Sequence, residues 1–145
     1  IHFEPKNHKE LAIVHHVDLD VFTITNYWSK LQPNGHFTSS IFCKRKQPQD
    51  YSVEDFAKFL NYIVPTRFKD QNLIIDLLAY TNLSLEQLLL FIELSNQHRV
   101  SKHSFIIVNN ALDPDIQPNE IMVVPTLLEA QDVIEMEEIE RDLGF

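Results

Sequence analysis

Residues 72–109 read NLIIDLLAYTNLSLEQLLLFIELSNQHRVSKHSFIIVN, and this stretch decides the fold. Two almost wholly apolar segments, residues 73–78 and 104–108, flank a segment whose leucines follow helical spacing. Strands that are apolar along their whole length are typical of parallel sheets, because such strands are covered on both faces. The stretch therefore predicts a strand–helix–strand crossover between two parallel strands.

Three segments carry helix-capping signals. Ser52, Ser84 and Thr126 can each cap a helix, and three residues later Asp55, Gln87 and Glu129 can complete capping boxes, the last a full Thr-x-x-Glu box. We expect the first helix to stop at Pro65, because proline lacks an N–H and disfavours helix at the preceding residue. The second helix is expected to run from Ser84 to about His98, whose protonated ring would suit a helix C-terminus.

The last helix has a mixed character. Apolar residues that could face the sheet are Leu127, Ala130, Val133, Ile134 and Ile139. The acidic residues are interpreted as its solvent side: Asp132, Glu135, Glu137, Glu138, Glu140 and Asp142. Towards the C-terminus we predict an interface with a partner or a second copy, formed by Met136, Ile139, Leu143 and Phe145; the alternative is packing on the chain's own sheet.

Residues 1–50 predict the antiparallel part of the sheet. Residues 11–17 form a strand candidate, and residues 21–31 and 36–44 form a hairpin about Asn34-Gly35, a pair that favours tight turns. We therefore predict an α/β fold with a mixed central sheet, an N-terminal β-hairpin and three to four helices. Residues 1–145 are expected to be a single domain, with an N-terminal hairpin region and extension at 1–50 and an α/β core at 51–145.

The composition of the chain disfavours several classes of function. The 145 residues have a formal net charge of −9, which disfavours a nucleic-acid-binding surface. Residues 126–145 alone hold seven acids and only Arg141, a sum of −6. A lone cysteine, Cys43, cannot form an internal disulfide and fits a reducing compartment. With no apolar run as long as a membrane span, we expect a cytoplasmic protein without nucleic-acid or membrane partners.

Catalytic patterns are weak throughout. His15-His16-x-Asp18-x-Asp20 is the most metal-like cluster, but an exposed strand end explains it better. The two glycines, Gly35 and Gly144, provide no phosphate loop and no dinucleotide fingerprint. Neither Cys43 nor Ser39-Ser40 lies in a nucleophile motif. The sequence predicts a protein that is not an enzyme and has no cofactor and no metal.

Residues 51–145 resemble the STAS domain, named for sulfate transporters and anti-sigma factor antagonists. The resemblance lies in LIIDL at 73–77, HSFIIVN at 103–109 and VPTLLEAQDVIEMEEIERDLGF at 124–145. The last segment is most similar to short bacterial STAS-like proteins, some of which carry a ribonuclease Z label. That label implies a His-x-His-x-Asp-His cluster for two zinc ions, which this sequence lacks, so a metal-dependent hydrolase is the disfavoured alternative.

The resemblance also implies where partners bind. Anti-sigma antagonists have a D-S-S-G segment at the start of the helix after the first buried strand, and its phosphorylated serine corresponds to Glu86 here. Glu86 cannot accept a phosphate, so that switch is absent. The implied function is a protein–protein interaction module, with an antagonist-type regulator as the role that the resemblance suggests. The alternative is a structural subunit of a larger assembly, which the unmatched residues 1–50 and the apolar C-terminus would suit; a homodimer is also open. The module's partner, of unknown identity, would bind at Tyr80, Asn82, Ser84, Leu85, Glu86 and Gln87.

Overall fold

The computed structural model describes residues 10–17, 24–31, 37–44, 52–113, 115 and 117–144. The strands in this part of the chain are β1 (Glu10–Val17), β2 (Ile24–Leu31), β3 (Phe37–Lys44), β4 (Asn72–Asp76), β5 (Phe105–Val108) and β6 (Met122–Val124). The helices are α1 (Val53–Arg67), α2 (Leu85–Leu89), α3 (Ile92–Val100) and α4 (Leu127–Asp142). None of these helices is both long and apolar enough to cross a membrane.

The strands form one mixed sheet in the order β2-β3-β1-β4-β5-β6. β4 is parallel to β1 and β5, and β6 continues this parallel part beside β5. β2 and β3 form the predicted antiparallel pair, and β3 lies parallel to β1. The predicted α/β class with a mixed sheet and an N-terminal hairpin is thereby confirmed. The turn at Asn34-Gly35 lies outside the described residues.

Both faces of the central strands are covered, which explains their unbroken apolar sequence. On one face, Leu73, Ile75, Phe105 and Ile107 share a core with residues of α1, α2 and α3. The members of that core from the helices and from the break between α2 and α3 include Phe56, Leu60, Leu88, Phe91 and Leu94. On the other face, Leu11, Ile13, Ile74 and Ile106 pack with Ala130 and Ile134 of α4. Alternate residues of each strand therefore point to opposite cores.

The prediction that α1 stops at Pro65 is wrong, because the helix continues to Arg67 with Pro65 inside it. Proline's fixed φ suits a helix, and its cost there is mainly the missing N–H bond and a clash one turn earlier. The residues on either side of Pro65 favour continuation of the helix. Val64 and Phe68 are both buried, and the Phe68 N–H donates to the Val64 carbonyl at 2.9 Å. Burial of these side chains outweighs the local preference.

The single helix predicted from Ser84 to His98 is two helices, with a break at Leu90–Phe91. At the break the N–H groups of Leu90 and Phe91 donate to the carbonyls of Gln87 and Leu88, three residues back. Such tight turns have about three residues per turn, so Leu88 and Phe91 lie on the same side. Both side chains are fully buried, whereas Leu89 and Leu90 are exposed. The break thus lets both large side chains enter one core.

The sheet-facing side of α4 is largely as predicted. Ala130 and Ile134 are buried, and Leu127 and Val133 pack against the same core while remaining partly exposed. Ile139 does not face the sheet and is exposed, which corrects that part of the prediction. The Thr126 cap is present, but Glu129 accepts a hydrogen bond from the Thr126 hydroxyl, a different contact from the reciprocal backbone bond of a full capping box.

Candidate functional site

The predicted partner-binding segment, residues 80–87, follows β4 at the carboxyl end of the sheet and leads into α2. Hydrogen bonds from the end of β5 hold its backbone in place. The side-chain amide of Asn109 donates hydrogen bonds of 2.9 Å to the carbonyls of Leu77 and Tyr80. Leu83 is buried in the core, and Tyr80 packs partly buried against it. The segment is therefore fixed to the body of the protein and presents a defined surface.

The start of α2 is a complete capping box, which confirms the predicted pairing. The Ser84 Oγ accepts from the Gln87 N–H at 3.2 Å, and the Gln87 Oε1 accepts from the Ser84 N–H at 3.1 Å. The Gln87 side-chain amide also donates to the Glu54 carboxylate of α1 at 3.4 Å. Ser84 and Gln87 thus hold the helix start in place, while Asn82, Leu85 and Glu86 are exposed around them.

Three leucines of α2 and of the break after it are exposed to solvent. Leu85, Leu89 and Leu90 are 37%, 44% and 40% exposed. Glu86 and Glu93 are exposed beside them. We call these five residues the α2 surface. An apolar patch with acidic neighbours on an anchored helix is typical of a protein-binding surface.

The carboxyl edge of the sheet carries Asp76, at the end of β4. Its carboxylate accepts a 3.0 Å hydrogen bond from the Leu78 N–H, which is a common backbone role for such a residue. Over the described ranges, no three His, Cys, Asp or Glu side chains are arranged to hold a metal ion. The predicted metal-like cluster at residues 15–20 lies outside the described side chains, as does the side chain of Cys43. The interpretation of those residues stays a prediction.

The apolar residues at the end of α4 form a stripe on its outer face. Met136, Ile139 and Leu143 are 61%, 59% and 68% exposed. We call them the α4 stripe. At about 100° per residue they lie opposite Ile134, which is buried against the sheet. They do not pack on the chain's own sheet, and the predicted interface role stays a prediction; Phe145 lies outside the described residues.

A polar network that was not predicted from the sequence lies beneath α4. Glu138, expected on the solvent side, is only 6% exposed, so that prediction is wrong. The side-chain amide of buried Asn72 donates to Glu138 Oε1. Asn72 Oδ1 accepts from the Ser104 N–H at 2.8 Å and from Arg141 Nη2 at 3.3 Å. Glu138 can be buried because the amide at the start of β4 hydrogen-bonds it.

Glu137 extends the network to α3. Its Oε1 accepts from the Ser104 hydroxyl at 2.6 Å, and Arg99 Nη1 lies 3.4 Å from both carboxylate oxygens. Arg99 Nη2 donates to the Phe105 carbonyl at 3.1 Å. The ends of α3 and α4 and the start of β5 are therefore connected by charged hydrogen bonds, which are stronger than neutral ones.

The position of Glu138 along α4 could have predicted its burial. Glu138 lies four residues after Ile134 and eight after Ala130, both of which face the sheet. Residues four apart share a face, so this spacing places Glu138 beneath the helix. Asn72 directly precedes an apolar run, which marks it for burial. Charge alone assigns the glutamates of α4 to its solvent side, whereas their positions on the helix assign Glu138 to the buried side.

His98 is a neutral, buried histidine. It is 4% exposed, and its Nε2–H donates to the Gln71 carbonyl. Burial lowers the pKa of His98 to about 4, helped by the nearby positive charges of His103 and Arg99 and opposed by the bond to Gln71. The expectation that His98 acts as a protonated partner of the helix C-terminus is therefore wrong at neutral pH.

We predict that Glu138→Ala lowers the free energy of unfolding by about 1–3 kcal/mol, because it leaves the buried Asn72 donor unpaired. The matched control is Glu140→Ala, the same change on an exposed face of the same helix, with an expected effect within about 0.5 kcal/mol. Urea unfolding measures both. Equal losses for the two variants would show that Glu138 contributes only as a surface residue.

We predict that stability falls as pH decreases from about 6.5 towards about 4. In this window the unfolded chain binds a proton at His98 and the folded chain does not, so acidification favours unfolding by roughly 3 kcal/mol in total. In His98→Gln, which retains an N–H donor, this part of the slope should disappear. Urea unfolding at several pH values tests it; parallel curves for wild type and variant would contradict the assignment.

Comparison with known proteins adds no identification. No family model, no curated protein and no solved structure matches this chain. The resemblance of residues 51–145 to STAS domains therefore stays a prediction based on sequence segments. The α/β architecture and the geometry described above stand independently of that resemblance.

Proposed function

We propose that the chain is a STAS-like, non-enzymatic protein–protein interaction module that acts in the cytoplasm. The observation that carries the proposal is the α2 surface, where Leu85, Leu89 and Leu90 are exposed on a segment whose start is capped and whose preceding loop is anchored. Partners bind rigid surfaces at lower entropic cost than mobile ones. The proposed mechanism is reversible docking of a protein on this surface.

Regulation at this surface would differ from that of anti-sigma antagonists. Glu86 stands where the resemblance places the phosphorylated serine, and it is exposed. The nearby hydroxyl of Ser84 serves the helix cap. A constant carboxylate supports an antagonist-type regulator whose docking is not released by phosphorylation at this position.

The residues of the α2 surface indicate the chemical character of its partner. The exposed leucines favour an apolar contact, and the carboxylates of Glu86 and Glu93 favour basic residues around it. The net charge of −9 strengthens the attraction to a basic partner and opposes association with acidic ones. We therefore infer a partner with an apolar patch bordered by lysine or arginine.

We predict that Leu89→Arg reduces recovery of the partner at least about tenfold, because it places a charge in the centre of the apolar contact. The chain, tagged and expressed in its own cells, is purified and its partners are quantified by mass spectrometry. Tyr62→Arg is the control, since Tyr62 is an exposed aromatic residue of α1. Thermal unfolding should be unchanged in both variants. Equal recovery with wild type and Leu89→Arg would refute docking on the α2 surface.

A second candidate function is that of a subunit in a larger assembly or a homodimer, and the exposed α4 stripe favours it. Such a stripe on a helix whose other face is fixed to the sheet suits a helix-on-helix contact. Deleting residues 137–145 is a poor test, because it also removes Glu137, Glu138 and Arg141 from the network beneath α4.

We predict that Ile139→Lys shifts the native mass of the purified complex towards that of the monomer, because a charge disrupts an apolar interface. Tyr62→Lys provides the control, because it places the same charge at an exposed apolar side chain of α1, on a different helix from the stripe. Native mass spectrometry of protein purified from its own cells measures both. A monomer in the wild type, or an unchanged complex in Ile139→Lys, would refute the subunit role of the stripe.

A further inference from the structure

A basic pocket lies at the end of the sheet opposite the α2 surface. It is lined by Arg99, Lys102, His103, Arg141 and Gly144 and has a volume of about 400 Å³. The first three come from the end of α3 and the turn into β5, and the last two from the end of α4. Such a concentration of basic side chains is unexpected in a chain with a net charge of −9.

Several hydrogen-bond donors in the pocket have no acceptor among the described residues. A guanidinium carries five N–H donors. Arg141 uses Nη2 to bond Asn72 and Ser104, and within the described residues its other nitrogens have no acceptor. Lys102 is exposed, and no described carboxylate forms an ion pair with it. The network beneath α4 holds Arg141 in place, and the remaining donors of Arg141 and Lys102 are available to a ligand.

Among the described residues, the acidic groups near the pocket are not part of its lining. Glu137 is engaged by Arg99 and by the Ser104 hydroxyl. Burial and the charge of Arg141 lower the pKa of His103, and Asp70 opposes this, so His103 is not counted as a permanent cation. Three permanent cations, Arg99, Lys102 and Arg141, line the pocket, and the carboxylates of Glu137, Glu138 and Asp70 lie around it.

Helix electrostatics explain two of these three cations. Arg99 and Arg141 are in the last turns of α3 and α4, where positive side chains are favoured. Lys102 lies beyond the end of α3 and has a φ of +67°, a left-handed conformation that favours glycine. A lysine at this position gives no conformational benefit, whereas its charge adds to the pocket.

We propose that this pocket binds the phosphate group of a small phosphorylated molecule. Guanidinium groups match the geometry of phosphate oxygens, and lysine adds a point charge. The volume is within the range of small-molecule sites and exceeds that of a phosphate ion alone, so an attached organic group fits as well. The site uses none of the residues of the α2 surface and is independent of the proposed docking function.

Titration of the ¹⁵N-labelled full chain tests the proposal, with inorganic phosphate, glucose 6-phosphate and AMP as separate probes. We expect amide shifts confined to residues 99–104 and 141–144. Tighter binding of a phosphomonoester than of inorganic phosphate would identify the ligand as a phosphorylated metabolite, and equal binding would identify it as the free ion. No saturable shifts at millimolar concentrations, or the same shifts with chloride at matched ionic strength, would overturn the proposal.

The decisive variant is Lys102→Gly. Glycine suits the left-handed backbone, so thermal stability should equal or exceed that of wild type while phosphate binding weakens about tenfold. Lys58→Gln removes the same charge from the exposed face of α1 and should bind as the wild type does. Equal affinity for the Lys102→Gly and Lys58→Gln variants would show that overall charge, and not the pocket, attracts the anion, and would overturn the site.

Discussion

The buried side chain of Asn72 is the contact on which the arrangement of the structure depends. Its amide group donates to Glu138 of α4, and its oxygen accepts from the Ser104 backbone before β5 and from Arg141. A single neutral side chain thereby joins the starts of two central strands to the helix that covers them. An apolar residue at this position would remove the hydrogen bond to the buried Glu138 carboxylate and leave the buried Ser104 N–H without its acceptor, which is more costly than the loss of one hydrogen bond.

This contact also fixes the rotation of α4. With Glu138 held beneath the helix together with Ile134, the opposite face must carry Met136, Ile139 and Leu143. The same rotation brings Arg141 beside Ser104 and into the basic pocket. The exposed apolar stripe and the pocket are thus two consequences of one packing arrangement, and neither depends on the chemistry of the α2 surface.

Local patterns predicted most of the fold. The apolar runs at residues 73–78 and 104–108, the caps at Ser52 and Ser84, and the N-terminal hairpin all appear in the structure with small shifts of boundary. The failures at Pro65 and at the break after α2 have one physical cause. Rules for proline and for helical spacing describe local costs, whereas burial of Val64, Phe68, Leu88 and Phe91 in the shared core outweighs them.

The candidate sites differ in how far the sequence could reveal them. Residues 80–87 are contiguous, so a capping motif and a resemblance to a family were enough to predict them as a binding segment. The basic pocket combines residues 99–103 with Arg141, which are far apart in sequence and are individually ordinary surface residues. Their proximity follows from the packing of α4 on β4 and β5, through a glutamate whose burial only helical position indicates. Charge alone suggests a solvated acidic helix, and only its three-dimensional placement shows a basic pocket beside it.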